Sequence, residues 1–282
     1  MELRLHSDLA GFARLTGALY GADPVTHTVA ITVTHQLLDG TVPVEDVRAL
    51  LTVHAGASVA GAALRTHPWP LLVSGLPVPA AELAAATLAG HDPELDKVFG
   101  PRDPAEAFAV AWCAATGAAT KTVMANRLFR LEELIPPARV PGQARLAGPG
   151  DQDLVARWQR AFAEEALPGQ PASERKATER QSADRGMQLW TVHGTPVALA
   201  RASPPACGMS RIGPVYTPAE HRGHGYGSAV TAAATRWALD AGAHHVVLFT
   251  DVANPVSNSI YPRLGYRLVH DAVQLAFVGS AG

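Results

Sequence analysis

The chain is poor in cysteine. Cys113 and Cys207 lie far apart in the sequence and fit no metal or redox spacing. A disulfide framework and a cysteine-based zinc site are therefore excluded, as in proteins of a reducing compartment. Lysine is nearly as scarce, occurring only at Lys97, Lys121 and Lys176. Positive charge rests on scattered arginines, and the formal net charge is −2. No large basic surface for nucleic acid follows from that balance. Charge-free apolar runs such as Ala107 to Thr120 fall short of the ~20 residues that a membrane span needs. The opening MELRLHSDLAGF carries acidic residues and has no apolar core of a secretion signal. A cytoplasmic protein without membrane or nucleic-acid partners is expected.

Two catalytic signatures are also missing. No Gly-x-x-x-x-Gly-Lys-Ser/Thr occurs, which excludes a P-loop. No Gly-x-Ser-x-Gly occurs either; Ser210 in GMSRIG is the nearest approach to a hydrolase elbow. His221 and His224, and the pair His244–His245, lack the cysteine or carboxylate companions of a metal site. No metal is expected.

What the chain does have is a core. Hydrophobic residues make up 48% of its 282 residues, enough for two domains. The stretch Ile135–Gly150, IPPARVPGQARLAGPG, has four prolines and three glycines and no period, and reads as a linker. It divides the chain into domains at 1–138 and 143–282. Each half holds a similar hairpin, LLTVHAGASVAGAALR at Leu50–Arg65 and LWTVHGTPVALARA at Leu189–Ala202. Each hairpin follows an early helix (Ser7–Tyr20; Asp151–Ala166) and precedes a strand (Trp69–Leu76; Ser210–Thr217). An alanine-rich helix comes next (Pro79–Leu88; Gly227–Ala241). The repetition points to an internal duplication. In the second half, HHVVLFTD is a buried strand, and Asn254 with Pro255 opens a short helix ending near Gly265. The order of elements implies helices layered on a sheet.

The segment HRGHGYG, His221 to Gly227, joins strand to helix in the second half. Glycines let a backbone turn its N–H groups to one side and let a ligand approach. The helix start adds unpaired donors and partial positive charge, and Arg222 adds a cation with a fork of donors. Together they make a pyrophosphate cradle. The glycines alternate, and TPAEHR separates them from the preceding strand. That spacing departs from the dinucleotide fingerprint, although Asp251 stands about where a ribose-binding acid would.

The run VYTPAEHRGHGYG…VVLFTD…NPVSNSIYPRLGY resembles the GCN5-related N-acetyltransferase (GNAT) superfamily, and in particular its FR47-like branch. Arg222-Gly-His-Gly225-Tyr-Gly227 is similar to that superfamily's Arg/Gln-x-x-Gly-x-Gly/Ala loop, which binds the pyrophosphate of acetyl-coenzyme A. The likeness is good from about Arg211 to Val269 and weaker back to about Leu146. It implies an α+β fold built as tandem acyl-CoA N-acyltransferase units, each a mixed, mostly antiparallel sheet flanked by helices. The first half, with PLLVSGLPVPAAELAAA at the equivalent point, has no such loop and is expected to be a degenerate copy. A single active site in the second half follows.

The resemblance implies acetyl-CoA as acyl donor and an amine of a small molecule or peptide as acceptor, in a monomer or homodimer. The cofactor would contact Val215, Tyr216 and Thr217 on the strand, Arg222, Gly223, His224, Gly225, Tyr226, Gly227 and Ser228 in the loop, and Asn254 and Asn258 on the closing helix. Pro214 and Pro218 have no N–H, so an oxyanion donor must come from 215–217. Tyr261 is the expected general acid, because a phenol stays protonated at neutral pH. Glu164, Glu165 and His193 are the candidate bases. A non-catalytic acyl-CoA sensor is the alternative from a different class.

Overall fold

The computed structural model describes residues 1–166 and 186–279. The chain forms two compact units, one of Met1–Arg127 with His270–Gly282 and the other of Leu128–Val269. The boundary thus differs from the expected one between 138 and 143, which falls inside the second unit.

The first unit begins with β1 (Glu2–Leu5), α1 (Leu9–Ala22) and α2 (Thr28–Leu38). Asp8 caps α1, accepting from the backbone N–H of Ala10 at 3.0 Å and Gly11 at 2.9 Å. Then follow β2 (Val47–Ala55), β3 (Ser58–Thr66), β4 (Leu71–Gly75), α3 (Ala81–His91), β5 (Lys97–Pro101), α4 (Arg102–Thr116) and β6 (Ala119–Leu131). Neighbours β1–β2, β2–β3 and β3–β4 are antiparallel, while β4–β5 are parallel. Alternation along β2 sends Ala49, Leu51 and Val53 to a core with Leu88 of α3 and Phe108 and Trp112 of α4. The opposite face receives α1. Arg65 is buried here and satisfied. Its Nη1 donates to Asp92 Oδ2 at 2.6 Å and its Nη2 to the Glu94 carbonyl at 3.0 Å.

The second unit contains β7 (Gln143–Leu146), α5 (Gln152–Ala166), β8 (Met187–Val192), β9 (Thr195–Ala202), β10 (Met209–Tyr216), α6 (Tyr226–Asp240), β11 (His245–Asp251), α7 (Pro255–Arg263) and the start of β12 (Tyr266–Val278). β7–β8, β8–β9 and β9–β10 are antiparallel and β10–β11 parallel, the same topology as in the first unit. One face of this sheet, with Ala198, Ala200, Ala202 and Ile212, packs on α6 and α7. The other, with Met187, Leu189, Leu199 and Tyr216, packs on α5. The α+β architecture is as expected from the sequence.

Two features depart from the sequence reading. The linker stretch 135–150 contains β7, paired with β8 from Gln143↔Thr191 to Leu146↔Gln188. The end of β12 belongs to the first unit, pairing antiparallel with β5 from Ala272↔Pro101 to Ala276↔Lys97. Residues Leu128–Leu131 of β6 belong to the second unit, where β6 neighbours β11. The last strand of each half is therefore divided between the two units.

Candidate functional site

The site is built where β10 leaves its parallel neighbour. β10 pairs with β11 from Met209↔His245 to Ile212↔Leu248, and no pair follows among the described residues. On its other edge β10 stays with β9, through Val215↔Ala200 and Tyr216↔Leu199. The register shifts between Ile212 and Val215, so one extra residue bulges at Gly213–Pro214. A bulge bends its strand and strengthens local twist, which suits a strand departing from one neighbour only. Between Val215 and Thr217 the edge that faced β11 has main-chain groups without a ladder partner.

The chain then makes a short helical turn at Ala219–His221 and enters the glycine loop. Gly223 and Gly225 have φ of +81° and +80°, in the left-handed region where side chains are strained. Gly225 is the residue before α6, and no side chain caps that helix. The Ala229 N–H reaches back to the Gly225 carbonyl at 3.0 Å, closing the first turn. The N–H groups of Gly223, His224, Gly225, Tyr226, Gly227 and Ser228 have no hydrogen-bond partner among the described residues. Six consecutive donors at the positive end of a fifteen-residue helix form an anion cradle. Gly227 lies against Thr217, where an added Cβ would meet Thr217 Oγ1 at 3.3 Å. His224 and Tyr226 stack at 5.4 Å with an interplanar angle of 13°.

Arg222 is engaged rather than free. Its Nε donates to the Thr217 carbonyl at 2.9 Å and its Nη2 to Glu165 Oε2 at 2.5 Å. The Tyr216 hydroxyl donates to the other oxygen of Glu165 at 3.1 Å. Burial, reinforced by that carboxylate, pushes the Tyr216 phenol up. Glu165, at the end of α5, thus bridges the tip of β10 and the loop. The Arg222–Glu165 pair is half exposed, and such pairs contribute about 0–1 kcal/mol.

The closing helix holds its own asparagines. Asn254 caps α7, accepting from the Ser257 N–H at 3.0 Å. Asn258 Nδ2 lies 3.0 Å from the Asp251 carbonyl, 3.1 Å from that of Val252 and 2.8 Å from that of Asn254. It ties the end of β11 to α7. Asp251 accepts from the Ala253 N–H in the same turn. Tyr261 is 7% exposed and sits among Phe129, Tyr266 and Leu264. Burial pushes its phenol up to about 12, partly offset by a hydrogen bond with Ser257. Val215 and Tyr226 pack against the same cluster. Of the candidate bases, Glu164 is exposed on α5, and His193 lies in the β8–β9 turn.

The structure brings Val215–Thr217, the loop and Glu165 together. It assigns Asn254 and Asn258 bonds within their own turn. The bridging position of Glu165 has no signal in its local sequence, since the partners are fifty or more residues away. The first unit differs at the equivalent point. Between β4 and α3 the Leu76 and Ala80 N–H groups bond to Val73 and Pro77 carbonyls, and Pro77 and Pro79 have none to offer. No comparable run of open donors exists there. Among the described residues no cluster of histidine, cysteine and carboxylates has a metal-binding arrangement, and no helix is long and apolar enough to cross a membrane.

Residues 153–266, most of the second unit, match the family model described as Acetyltransferase (GNAT) family. The chain is 16% identical to a GCN5-related N-acetyltransferase from Sphaerobacter thermophilus, with a TM-score of 0.62 over 98% of this chain and 94% of that one. A tandem GNAT protein from the clavulanic acid biosynthesis pathway superposes with a TM-score of 0.55 at 15% identity, over 100% of this chain and 99% of its own. These likenesses show a fold of the GNAT type, and the family model's pattern falls on residues 153–266 of the second unit. Over 83 residues the chain is 36% identical to the mycothiol acetyltransferase of Pseudarthrobacter chlorophenolicus. That match covers 29% of this chain and spans about a quarter, 25%, of the relative.

Proposed function

We propose that the second unit transfers an acetyl or other short acyl group from acetyl-CoA to a primary amine, in a ternary complex. The observation behind this reading is the open run of N–H groups from Gly223 to Ser228 beside the departing strand β10. The loop takes the pyrophosphate, with Arg222 swinging from Glu165 to a phosphate oxygen. The freed main chain of Val215, Tyr216 and Thr217 takes the pantetheine amides, and one of these N–H groups faces the thioester oxygen. His224 and Tyr226 flank the phosphates, and Asn254 and Asn258 shape the wall by fixing the start of α7.

In the reaction the amine nitrogen bonds to the thioester carbon, the carbon–sulfur bond breaks, and its electron pair leaves on sulfur. A proton is lost from nitrogen to water or a side chain, and sulfur gains one. Tyr261 is the donor in this account, since its raised phenol is protonated throughout the neutral range. The first unit, lacking the open loop, acts as a degenerate partner without its own site. The FR47-like pattern and a cytoplasmic setting accompany this reading, and the acetyltransferase name of the partial relative agrees with the group transferred.

A second reading is a non-catalytic acyl-CoA binder, favoured by the burial of Tyr261 and by the engagement of Glu165 with Arg222 and Tyr216. Tyr261→Phe separates the two. The enzyme reading expects unchanged acetyl-CoA affinity and turnover down by about 100-fold across an amine panel. Turnover equal to that of the parent removes Tyr261 from the mechanism, and the absence of any acceptor across the panel favours the binder.

A further inference from the structure

The second unit also holds two arginines that no acid among the described residues neutralises. Arg201 on β9 and Arg211 on β10 are partly buried, and Arg201 Nε and Arg211 Nη1 are shut from solvent without a hydrogen-bond partner among the described residues. Their placement follows from strand register. Ile212 pairs with Ala202, and both face α6. Alternation turns Arg211 and Arg201 to the other face, where Met187, the cross-strand partner of Arg201, packs under α5. Across β9–β10 the two are diagonal neighbours, about 7–8 Å apart at Cα and within reach of each other's long side chains. Gln159, buried on the face of α5 that packs on this sheet, adds a third unpartnered donor at Nε2.

A buried charge without a partner is costly, and two of like sign are worse. Burial, and then the neighbouring Arg201, pushes the Arg211 guanidinium down to about 10. Among the described residues no carboxylate offsets either group. The contrast with the first unit is direct, since its buried Arg65 is met by Asp92 at 2.6 Å. Arginine cannot release its proton at neutral pH, and its planar fork matches carboxylate and phosphate oxygens two at a time. A set of donors with no acceptor calls for an anion from outside. Its location is specific too: Arg201 lies across from the bulge at which β10 departs from β11.

We propose that Arg201 and Arg211 bind an anionic oxygen group, a carboxylate or phosphate, on the acceptor amine, so that the acceptors are acidic amines such as amino acids. The acceptor assignment rests on the acetyltransfer reading above; the anion site itself does not. An acceptor held by its anionic end beside the bulge presents its amine toward the strand that receives the thioester.

The test uses the full chain and the variants Arg201→Met and Arg211→Met. Melting is followed as chloride is exchanged for malonate or inorganic phosphate at constant ionic strength, with acetyl-CoA as a separate titration. The parent's Tm is expected to rise by about 3 °C at ten times the anion's Kd. Both variants should lose that rise, keep the acetyl-CoA response, and melt no lower than the parent in chloride. A structural role for the arginines would instead lower the variants' Tm in chloride. Matched acceptors complete the test: free amino acids against their amides, and phosphoethanolamine against ethanolamine. The acidic member of at least one pair should be turned over tenfold or more better by the parent and lose that advantage in the variants. Anion protection absent from the parent, or equal in the variants, overturns the site whatever acetyl-CoA does. Equal turnover of acids and neutral partners overturns the acceptor assignment. A silent acetyl-CoA titration alongside anion protection that needs both arginines would leave the anion site standing and defeat the acetyltransfer reading alone.

Discussion

Replacing Gly225 by alanine tests whether the loop geometry serves ligand binding. Gly225 has φ +80° and its N–H opens the helix start. An L-residue held in that region costs about 1–2 kcal/mol. The new Cβ would also meet Val140 Cγ2 at 3.2 Å, a contact the Val140 side chain must yield to. Gly225 is exposed, so the free loop relaxes by turning to negative φ, and the cost is met mainly when a ligand demands the cradle. At 1.4 kcal/mol per tenfold, acetyl-CoA binding should weaken by about 5- to 30-fold, read by calorimetric titration. The control is Gly194→Ala in the β8–β9 turn. Gly194 has φ +81° with nothing within 4 Å of an added Cβ, so the backbone cost is similar but the cradle is untouched. It should lower stability by about 1 kcal/mol and leave affinity unchanged. Gly225→Ala binding acetyl-CoA within twofold of the parent, or Gly194→Ala weakening it equally, would refute the reasoning.

Other expectations concern stability. Asp92→Ala leaves Arg65 buried without its nearest carboxylate, and breaking such pairs costs about 3–5 kcal/mol. The low end is expected, because the Glu94 carbonyl and Asp96 still meet the guanidinium; urea unfolding gives the value. Acid should weaken the first unit. His27 is held below the usual imidazole value by burial, against an opposing effect of Asp23. Burial, helped by His54 and Arg4, does the same to His6. A depressed histidine favours the neutral folded form, so its contribution is present above about pH 6.5 and is lost as pH falls through the lowered folded value. The drop in Tm between pH 7.5 and 5.5 should shrink in His27→Gln, and an unchanged drop would show that His27 does not report folding.

Much of the second unit was legible from sequence because its signals are local. An alanine-rich run sets α6, Asn254 followed by Pro255 sets the start of α7, and alternating glycines set the loop. Helix α2, TVAITVTHQLL, was not legible, since its threonines, valines and isoleucine favour strands and its helical state rests on burial of Ala30, Ile31 and Leu37. β7 hides in a proline- and glycine-rich stretch, because an edge strand needs only one partner and tolerates such residues. The exchange of the last strands follows from pairing over long separations, which no local pattern encodes. Arg201 and Arg211 escape notice for a similar reason. Each is one arginine in an ordinary strand, and their meeting depends on the β9–β10 register. The same holds for Glu165, whose partners Tyr216 and Arg222 are brought to it by the fold.

The central claim is that the open loop of the second unit binds acetyl-CoA. Thermal melting of the full chain with acetyl-CoA, NAD and ATP in parallel tests it most directly. A ligand at a hundred times its Kd stabilises by ~2.7 kcal/mol, which for a chain of this size raises Tm by several degrees. The account predicts that rise with acetyl-CoA and its loss in Gly225→Ala at the same concentration. A rise with NAD and none with acetyl-CoA would contradict it.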